Sequence, residues 1–385
     1  MSAPDPRQMS PNDQPAAGRR QIDDIERLRA VAIVLTLVAH LPFAVPWSQD
    51  VTRFLTRFWL GTGVDLFFVI SGYVITRSMR ETRRRHPERS IRTFLFDFWI
   101  RRAFRLLPTS FVLVAATLAV IAVSSRTVAF RDLGGLGPHV YFIVSAIIEI
   151  YNITGWLRTA AGAPHVLLDH YWSLSLEEQF YMLYPLLFLW TTTPRRLGAL
   201  AAVVILSSFF LLKSYPTQVW WWFRIDGLFW GVLLAIVTDA LPTPSQRFVQ
   251  ALRRIGPLLL GVGIWGLIET VNALWWFSGA NAVALLFAVL LVAGATADAE
   301  IYRLPRVVDA VVVAIGRRSY LYYLFHLLLY RLLYAAGEAA VAGWGLAHDH
   351  LLLAATVLAI VPALAAIEPL HRLVELPMRN RGRDV

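Results

Sequence analysis

Long apolar stretches recur along the whole of this 385-residue chain, and they constrain its fold more than any other feature. Each stretch has roughly 17–25 residues, which as a helix is long enough to cross about 30 Å of hydrocarbon. The runs are continuous and do not alternate, so they predict helices and not the strands of a membrane β-barrel. Charged residues make up 16% of the chain, whereas a soluble domain has about a quarter. We therefore predict an all-α, polytopic membrane helical bundle.

The placement of arginines predicts how many of these stretches span the membrane and in which direction. The connection 77–105 holds ten arginines and is therefore expected on the cytoplasmic side. A short apolar segment, 139–153, carries Glu149. Counting it as a span would place most later arginines outside, so we predict that it is re-entrant or interfacial on the far side. Ten spans remain, with both termini cytoplasmic: 26–45, 57–76, 106–125, 171–192, 197–213, 218–238, 255–274, 278–297, 312–335 and 350–371.

The chain is predicted to be one membrane domain, 21–378, with a short tail at each end. Residues 1–20 are rich in Pro, Gln, Asp and Arg and are predicted to form a disordered cytoplasmic tail. Residues 379–385 are predicted to form a cytoplasmic tail at the other end. The positive-inside rule is the first explanation of the net charge of +10, so no nucleic-acid partner is predicted. Cysteine is absent, which excludes thiolate metal ligands and a covalent cysteinyl intermediate.

Two ionisable residues in the first predicted span, Arg29 and His40, are the strongest sign of a functional site. They are eleven residues apart, so helical geometry places them about 20° from the same face and roughly 16 Å apart along the axis. Ionisable groups inside a membrane usually line a path or a site. Two simpler interpretations stay open, because Arg29 could extend its charged end to the interface and His40 could be a hydrogen-bonded core residue.

Four further patterns place polar residues in or beside apolar segments. They are GTGVDLFFVISGY at 61–73, with Asp65, Ser71 and Gly72; Arg102-x-x-Arg105 at the start of a span; WSLSLEEQFYMLYP at 172–185, with Glu177; and GRRSYLYYLFH at 316–326, which ends in His326. The spacing of three puts both guanidinium groups on one helix face. Asp65 needs a partner, so a structural ion pair is its default interpretation. The simpler interpretation of His326 is a structural hydrogen bond with a neighbouring tyrosine.

Together, these five patterns in this order resemble the acyltransferase 3 family of integral-membrane O-acyltransferases. The resemblance covers about 22–377, and two smaller segments support it: RIDGLFWG at 224–231 and VELP at 374–377. The chain departs from the family pattern at Leu376, where a basic residue is expected, and at Tyr73, where phenylalanine is usual.

The resemblance implies transfer of an acyl group, usually acetyl, from cytoplasmic acyl-CoA to a hydroxyl across the membrane. The implied acceptor is a surface carbohydrate, a lipid-linked sugar or a secreted small molecule. The implied location is the cell inner (plasma) membrane, in contact with the lipid bilayer, and no metal is expected. Acetyl-CoA is the expected donor. The implied site residues are His40, Glu177 and His326 for catalysis, and Arg29, Arg102, Arg105, Ser71 and Gly72 for binding the donor.

These residue types suit the implied chemistry. A hydroxyl is a poor nucleophile until a base removes its proton, and the unperturbed pKa of histidine lies near neutrality. His40 and His326 each lie about ten residues, roughly 15 Å, from a predicted helix end, which places both at mid-membrane depth. Arginine binds phosphate oxygens bidentately, which suits the anionic groups of CoA. The acceptor pocket is expected beneath 139–153 and 154–170.

A multi-span solute transporter or proton-coupled carrier is the alternative function. Ten spans with charged residues at mid-membrane also fit that class. Two arginine patterns lie at the face where a nucleotide-like donor would bind, however, and no pseudo-repeat of broken helices is seen. The sequence leaves direct transfer to the acceptor and transfer through an acyl-histidine open.

Overall fold

A computed structural model describes residues 16–382 of the protein, with gaps. The gaps are positions 56, 59, 125–135, 163–166, 212–218, 274–279, 297–299 and 346–349, and the side chains of 16–22, 123–124, 136–139, 270–273 and 280–284 are also left out. The predicted tail 1–20 therefore lies mostly outside the described residues. Its last five residues are already helical, because the first helix begins at Ala16.

All regular structure in the described ranges is helical, which confirms the predicted all-α class. The main helices are α1 (Ala16–Ala39), α2 (Gln49–Leu55), α3 (Thr62–Arg85), α4 (Ile91–Ser124), α5 (Leu136–Ile147), α6 (Tyr151–Ala160), α7 (Tyr171–Trp190), α8 (Pro194–Ser208), α9 (Asp226–Ala240), α10 (Gln246–Ala273), α11 (Ala280–Ala295), α12 (Arg306–Arg317), α13 (Ser319–Trp344) and α14 (His350–Ala365). A last helical stretch comprises Glu368–Leu370, a π-helical turn at His371–Glu375, and Leu376–Arg381.

Four segments in the described part are long and apolar enough to cross a membrane. They are Ile91–Ala122, Gln246–Glu269, Ser319–Trp344 and His350–Arg381. Together with the buried core, they establish a membrane-type helical protein. The count of ten spans and the cytoplasmic position of both termini stay predictions.

The first helix ends earlier than hydropathy predicts. The predicted span 26–45 is α-helical only as far as Ala39, and Leu41–Phe43 forms a separate 3-10 turn. Pro42 explains the break, because proline lacks the N–H of a helical hydrogen bond and disfavours helical backbone at the residue before it. His40 therefore lies just beyond the helix end, where its backbone N–H still donates to the Thr36 carbonyl (3.2 Å).

The segment 139–153 is not a single helix. Glu149 has φ 58°, a left-handed conformation that separates α5 from α6. At 1.5 Å per residue, the two helices are about 18 Å and 15 Å long, so neither alone crosses about 30 Å of hydrocarbon. The carbonyl of Glu149 accepts from Gln179 Nε2 of α7 (2.7 Å), which attaches this bend to the bundle.

Helix α3 lies at the centre of the fold and packs directly on α9. A Cβ atom at Gly72 would collide with the carbonyl oxygen of Leu228, and one at Gly231 would collide with the carbonyl oxygen of Val69. The two helices therefore approach backbone to backbone, as small residues allow inside membrane bundles. Asp65 of α3 forms the predicted ion pair, with Arg224 just before α9 (3.3 Å), and both side chains are buried.

A buried ion cluster joins the start of α1 to α12. Arg27 donates to Asp309 through Nε (2.7 Å) and Nη2 (2.8 Å), and through Nη1 to Asp24 (2.7 Å). Asp24 also accepts from the backbone N–H groups of Ile301 and Tyr302. The Arg27 hydrogen bonds hold the pKa of Asp309 below the ordinary value of a carboxyl group. The stabilisation that this shift represents is therefore present at neutral pH and is lost as the pH falls through the lowered pKa.

Replacing Arg27 by methionine should destabilise the fold by about 3–5 kcal/mol, because Asp24 would stay buried without its counter-charge. Thermal unfolding of the detergent-solubilised protein measures the loss. Arg317→Met is the matched control, since it removes an exposed pair with Asp23 between the same two helices (3.0 Å). It should cost under about 1 kcal/mol. Equal losses in the two variants would contradict a special role for the buried cluster.

Candidate active site

An inner cavity of about 690 Å³ lies between α1, α3, α4, α7 and α13. Its polar lining includes most of the residues that the sequence patterns single out: Arg29, Ser71, Arg102, Arg105 and Glu177, together with Tyr181 and Tyr323. These side chains come from five helices that are far apart in the sequence. The bundle therefore brings four of the five predicted donor-binding residues into one space.

The lining of this cavity has more positively charged than negatively charged side chains. Arg29 pairs with Glu26 one helical turn earlier (3.0 Å). Arg102 and Arg105 make no hydrogen bond or salt bridge with any described residue. The Arg102 guanidinium instead lies over the rings of Tyr181 (5.3 Å) and Phe98 (5.7 Å). Guanidinium groups held by aromatic faces keep their N–H donors available for an anion.

Glu177 lies in the inner cavity, on a helix that begins where the span 171–192 is predicted to begin. Helix α7 begins at Tyr171, so Glu177 is six residues, about 9 Å, inside the helix. Its Oε1 accepts from Ser71 Oγ (2.7 Å) and its Oε2 from the Tyr181 hydroxyl (3.3 Å). Glu177 thus shares a cavity with the arginines, which are among the partners that the sequence leaves open for it, and no histidine lines that cavity.

Gly72 is absent from the lining of the inner cavity. Its Cα lies against the Leu228 carbonyl of α9, where no side chain would fit. The structure therefore gives Gly72 a helix-packing role in place of the predicted contact with the donor. Its neighbour Ser71 points the other way and reaches the cavity.

Three histidines, His40, His170 and His326, form a cluster next to this cavity. The ring centroids of His40 and His326 are 4.9 Å apart, and those of His170 and His326 are 5.2 Å apart. His326 is fully buried in α13, and His170 directly precedes α7. Within the described ranges, no group of three or more His, Cys, Asp or Glu side chains is arranged to hold a metal ion.

Hydrogen bonds determine which nitrogen of His40 can act as a base. His40 Nδ1 lies 2.9 Å from the Thr36 carbonyl oxygen, which can only accept, so Nδ1 carries the proton. His326 Nδ1 likewise faces the Tyr323 carbonyl (2.6 Å), which leaves His326 Nε2 as an acceptor 3.3 Å from His40 Nδ1. The proton positions assigned to His40 and His326 are compatible with each other. They leave an unprotonated Nε2 on His40, and its lone pair accepts no hydrogen bond from a described residue.

An outer cavity of about 1250 Å³ contains the exposed side of His40. Its polar lining includes Asp169 and His170, and its aromatic walls are Phe43, Phe58, Trp172, Trp221 and Trp222. The acceptor pocket was predicted beneath 139–153 and 154–170. The second of these ranges contributes Asp169 and His170 to the outer cavity, whereas no described residue of the first lines it.

His170 is the site residue that the sequence patterns did not reveal. It is a single histidine in a connection, so neither helical spacing nor an apolar context singles it out. It is only 3% exposed, and neither ring nitrogen makes a well-formed hydrogen bond with a described residue. The backbone of Leu324 is near the ring but outside hydrogen-bond geometry. Both nitrogens are themselves buried, so a polar ligand in the outer cavity reaches them only when the cavity wall moves slightly.

Asp169 lies beside His170, and two side chains of α6 donate hydrogen bonds to its carboxylate. It accepts from the Tyr151 hydroxyl (2.7 Å) and from Arg158 Nη2 (2.8 Å).

One layer of side chains separates the two cavities. Ser173 and Tyr323 line the inner cavity, and Trp172 and His170 line the outer one. The Tyr323 hydroxyl hydrogen-bonds with Ser173 Oγ and donates to the His170 carbonyl. The Tyr323 ring also contacts His326, with centroids 5.6 Å apart. The predicted donor-binding residues and His40 therefore lie on opposite sides of a thin wall, and not in one continuous cavity.

Comparisons with known proteins agree with the resemblance. A family model described as an acyltransferase domain, Acyl_transf_3, matches residues 22–367. The chain is 31% identical to the peptidoglycan O-acetyltransferase OatA of Listeria monocytogenes over 183 residues, which is 46% of this chain and 26% of the relative. It is 25% identical to a putative O-acetyltransferase of Staphylococcus aureus over 341 residues, which is 80% of this chain and 50% of the relative.

A putative peptidoglycan O-acetyltransferase of Bacillus subtilis, YrhL, is 28% identical over 167 residues, or 43% of this chain and 24% of that protein. The chain therefore covers half or less of the length of these relatives. No solved structure matches it significantly.

Proposed function

Because the chain belongs to the acyltransferase 3 family, we propose that it is a membrane-bound O-acyltransferase that uses acyl-CoA, with acetyl-CoA as the preferred donor. The acceptor is a hydroxyl of a surface carbohydrate, a lipid-linked sugar or a secreted small molecule, and the protein acts in the cell inner membrane. The names of the matched relatives support the acetyl group, and none of the three is a transporter. The transporter alternative has no support and is not retained.

One observation carries this proposal. Two arginines without a carboxylate partner face a cavity on one side of a thin wall, and a histidine with an available lone pair faces a second cavity on the other side. An anionic donor and a neutral hydroxyl acceptor need these two environments. If the two substrates enter from opposite sides of the membrane, their reacting groups must also come together. The two cavities therefore have to be separated by no more than a thin layer of side chains.

The phosphate groups of the donor account for the unpaired arginines. A second basic cavity of about 730 Å³ adjoins the inner one, shares Arg102 and Arg105 with it, and adds Arg101 and Arg379. Arg101 also makes no hydrogen bond or salt bridge with a described residue. We assign the phosphates of CoA to this shared arginine region and the acyl-bearing arm to the inner cavity. Bidentate guanidinium–phosphate bonds then fix the donor.

In the proposed direct transfer, His40 Nε2 takes the proton of the acceptor hydroxyl as the hydroxyl oxygen attacks the thioester carbonyl carbon. The C–S bond breaks, and the CoA thiolate leaves and receives that proton from the imidazolium. His40 Nδ1–H donates to Thr36 and His326 throughout, so His326 is a positioning residue that supports the charged ring. Transfer through an acyl group on His40 uses the same contacts.

The thioester has to pass the wall between the cavities to reach His40. Tyr323 and Ser173 are the members of that wall that line the inner cavity. Their hydrogen bond joins α13 to α7, so a small separation of these two helices would open the passage.

His170 is proposed to bind the acceptor. His170→Phe keeps an aromatic ring and removes only the two nitrogens, so the protein should fold. Loss of one substrate hydrogen bond, worth about 0.5–1.5 kcal/mol, should lower kcat/KM for the acceptor roughly 2- to 13-fold. The KM for the donor should not change. Steady-state kinetics with each substrate varied separately test this, with His86→Phe in the exposed 77–105 connection as control. A change confined to the donor KM would contradict the assignment.

Reconstitution tests the function as a whole. Purified protein in liposomes is given radiolabelled acetyl-CoA with and without a soluble sugar acceptor, and labelled ester is measured. Ester formation that requires both substrates supports the proposal. Label trapped on the protein without acceptor favours the acyl-histidine route. Solute uptake without acyl-CoA and without ester formation would overturn the proposal.

A further inference from the structure

A third cavity lies apart from both substrate cavities, at the arginine-rich end of the bundle. It is a crevice of about 1040 Å³ where α3 and α7 end and where α4 and α8 begin. It shares no lining residue with the inner cavity, the adjoining basic cavity or the outer cavity. The proposed acyl transfer does not use it.

One wall of this crevice is basic. Arg80 and Arg84 both donate to the same oxygen of Asp239, at 2.7 and 2.6 Å, so two positive charges share one carboxylate. Arg83 donates to the backbone carbonyl of Arg89 (2.7 Å) and has no carboxylate partner among the described residues. The wall therefore carries a net positive charge that no described acidic residue neutralises.

The next residues along the chain add to this charge. Arg195 and Arg196 follow Pro194, which lines the crevice, and both are exposed in the first turn of α8. Neither has an acidic partner in the part of the chain that the structure describes. The N-terminus of α8, which carries the positive end of the helix dipole, also lies at the crevice. An anion bound there would be stabilised both by the guanidinium groups and by this dipole.

The opposite wall is apolar and opens toward the membrane-facing surface. Leu189 and Leu197 line it, with Ile91 at its edge. Ile91 is 56% exposed, and Trp190, next to Leu189, is 74% exposed. Ile91 also begins α4, one of the helices long enough to cross a membrane. The exposed apolar surface therefore continues from the basic wall along α4, a helix long enough to cross a membrane.

We propose that this crevice binds an anionic phospholipid, with its phosphate on Arg83 and Arg84 and its acyl chains along Ile91, Leu189 and Trp190. Basic pockets between helices at the cytoplasmic side bind anionic headgroups in this way. A soluble anion would satisfy the arginines but would leave the apolar wall uncovered. The joint presence of both walls therefore favours a lipid as the occupant.

Lipid titration tests the proposal. The purified protein in phosphatidylcholine nanodiscs is titrated with phosphatidylglycerol, and bound lipid is counted by native mass spectrometry. Arg83→Gln/Arg84→Gln leaves Asp239 paired with Arg80 and should weaken phosphatidylglycerol binding roughly 25-fold, about fivefold for each arginine. Arg253→Gln/Arg254→Gln is the matched control, because these exposed arginines lie within α10 and do not line the crevice. The control should retain wild-type binding.

Three outcomes would overturn the proposal. Equal weakening in both double variants would indicate a general attraction of the basic surface to anionic lipid. Displacement of phosphatidylglycerol by millimolar inorganic phosphate would indicate a soluble anion as the occupant. Binding that stays unchanged in Arg83→Gln/Arg84→Gln would exclude the crevice. Because none of these measurements uses acyl-CoA, the result does not depend on the proposed enzymatic function.

Discussion

Replacing His40 by glutamine should slow acyl transfer by roughly 10²- to 10⁴-fold, the usual contribution of a positioned acid–base group. Glutamine retains an N–H that can donate to the Thr36 carbonyl, but its amide cannot accept a proton at neutral pH. The fold should survive, because His40 lies beyond the end of α1 and is partly exposed in the outer cavity. The loss should therefore appear in kcat with little change in the thermal stability of the protein.

Initial rates with both substrates saturating measure this effect. His326→Leu is the informative companion, since it removes the acceptor of the His40 Nδ1–H bond while leaving Nε2 of His40 intact. A smaller loss in His326→Leu, with an altered pH profile of kcat, would support a positioning role. A His40→Gln variant that transfers acyl groups at near wild-type rate would refute the assignment of His40 as the base.

Removing the positive charges of Arg102 and Arg105 should raise the KM for acetyl-CoA by roughly 100-fold or more. Each charge-assisted hydrogen bond to phosphate is worth about 1.5–3 kcal/mol, or roughly 10- to 150-fold in affinity. Neither arginine makes a hydrogen bond or salt bridge with a carboxylate among the described residues. Arg102→Gln/Arg105→Gln therefore removes only a longer-range attraction to Glu177 and Glu178, and Glu177 keeps its hydrogen bonds to Ser71 and Tyr181. The fold should therefore tolerate the double change, and kcat at saturating donor should fall much less than the affinity.

Two comparisons make this prediction specific. Arg92→Gln changes an exposed arginine of the same helix outside the two basic cavities, so its donor KM should stay at the wild-type value. S-Acetyl-pantetheine carries the thioester but no phosphate, so wild type and the double variant should use it equally poorly. If the double variant lost activity with both donors to the same extent, the two arginines would act on something other than the phosphate groups.

The helical class, the buried Asp65 ion pair and the joint position of Arg29, Arg102 and Arg105 could all be predicted from the sequence. Hydrocarbon does not hydrogen-bond to the backbone, so long apolar runs have to be helical. Within one helix, spacing also determines which side chains share a face, which is why Arg102 and Arg105 point into the same cavity.

Residue spacing did not predict the positions of side chains where the chain departs from a regular helix or where one helix packs against another. His40 was predicted inside a span, but Pro42 ends α1 before it and turns the ring toward a different cavity from that of Arg29. For Glu177 the sequence leaves an arginine, a histidine and the acceptor open as partners, and packing of α7 on α3 directs it to Ser71 in the cavity of the arginines. Gly72 follows Ser71 in sequence but faces α9, because adjacent helical residues point about 100° apart.

The sequence by itself determined that this is an all-helical membrane protein of the acyltransferase 3 family, with an arginine pair and two histidines in apolar stretches. These are properties of local composition and spacing, and they do not require knowledge of which helices are neighbours. Only the tertiary structure decided that His170 completes the histidine cluster, that two cavities meet at Tyr323, and that a basic crevice lies apart from both. Each of these features joins residues from different helices, and contacts between helices depend on the packing of the whole bundle.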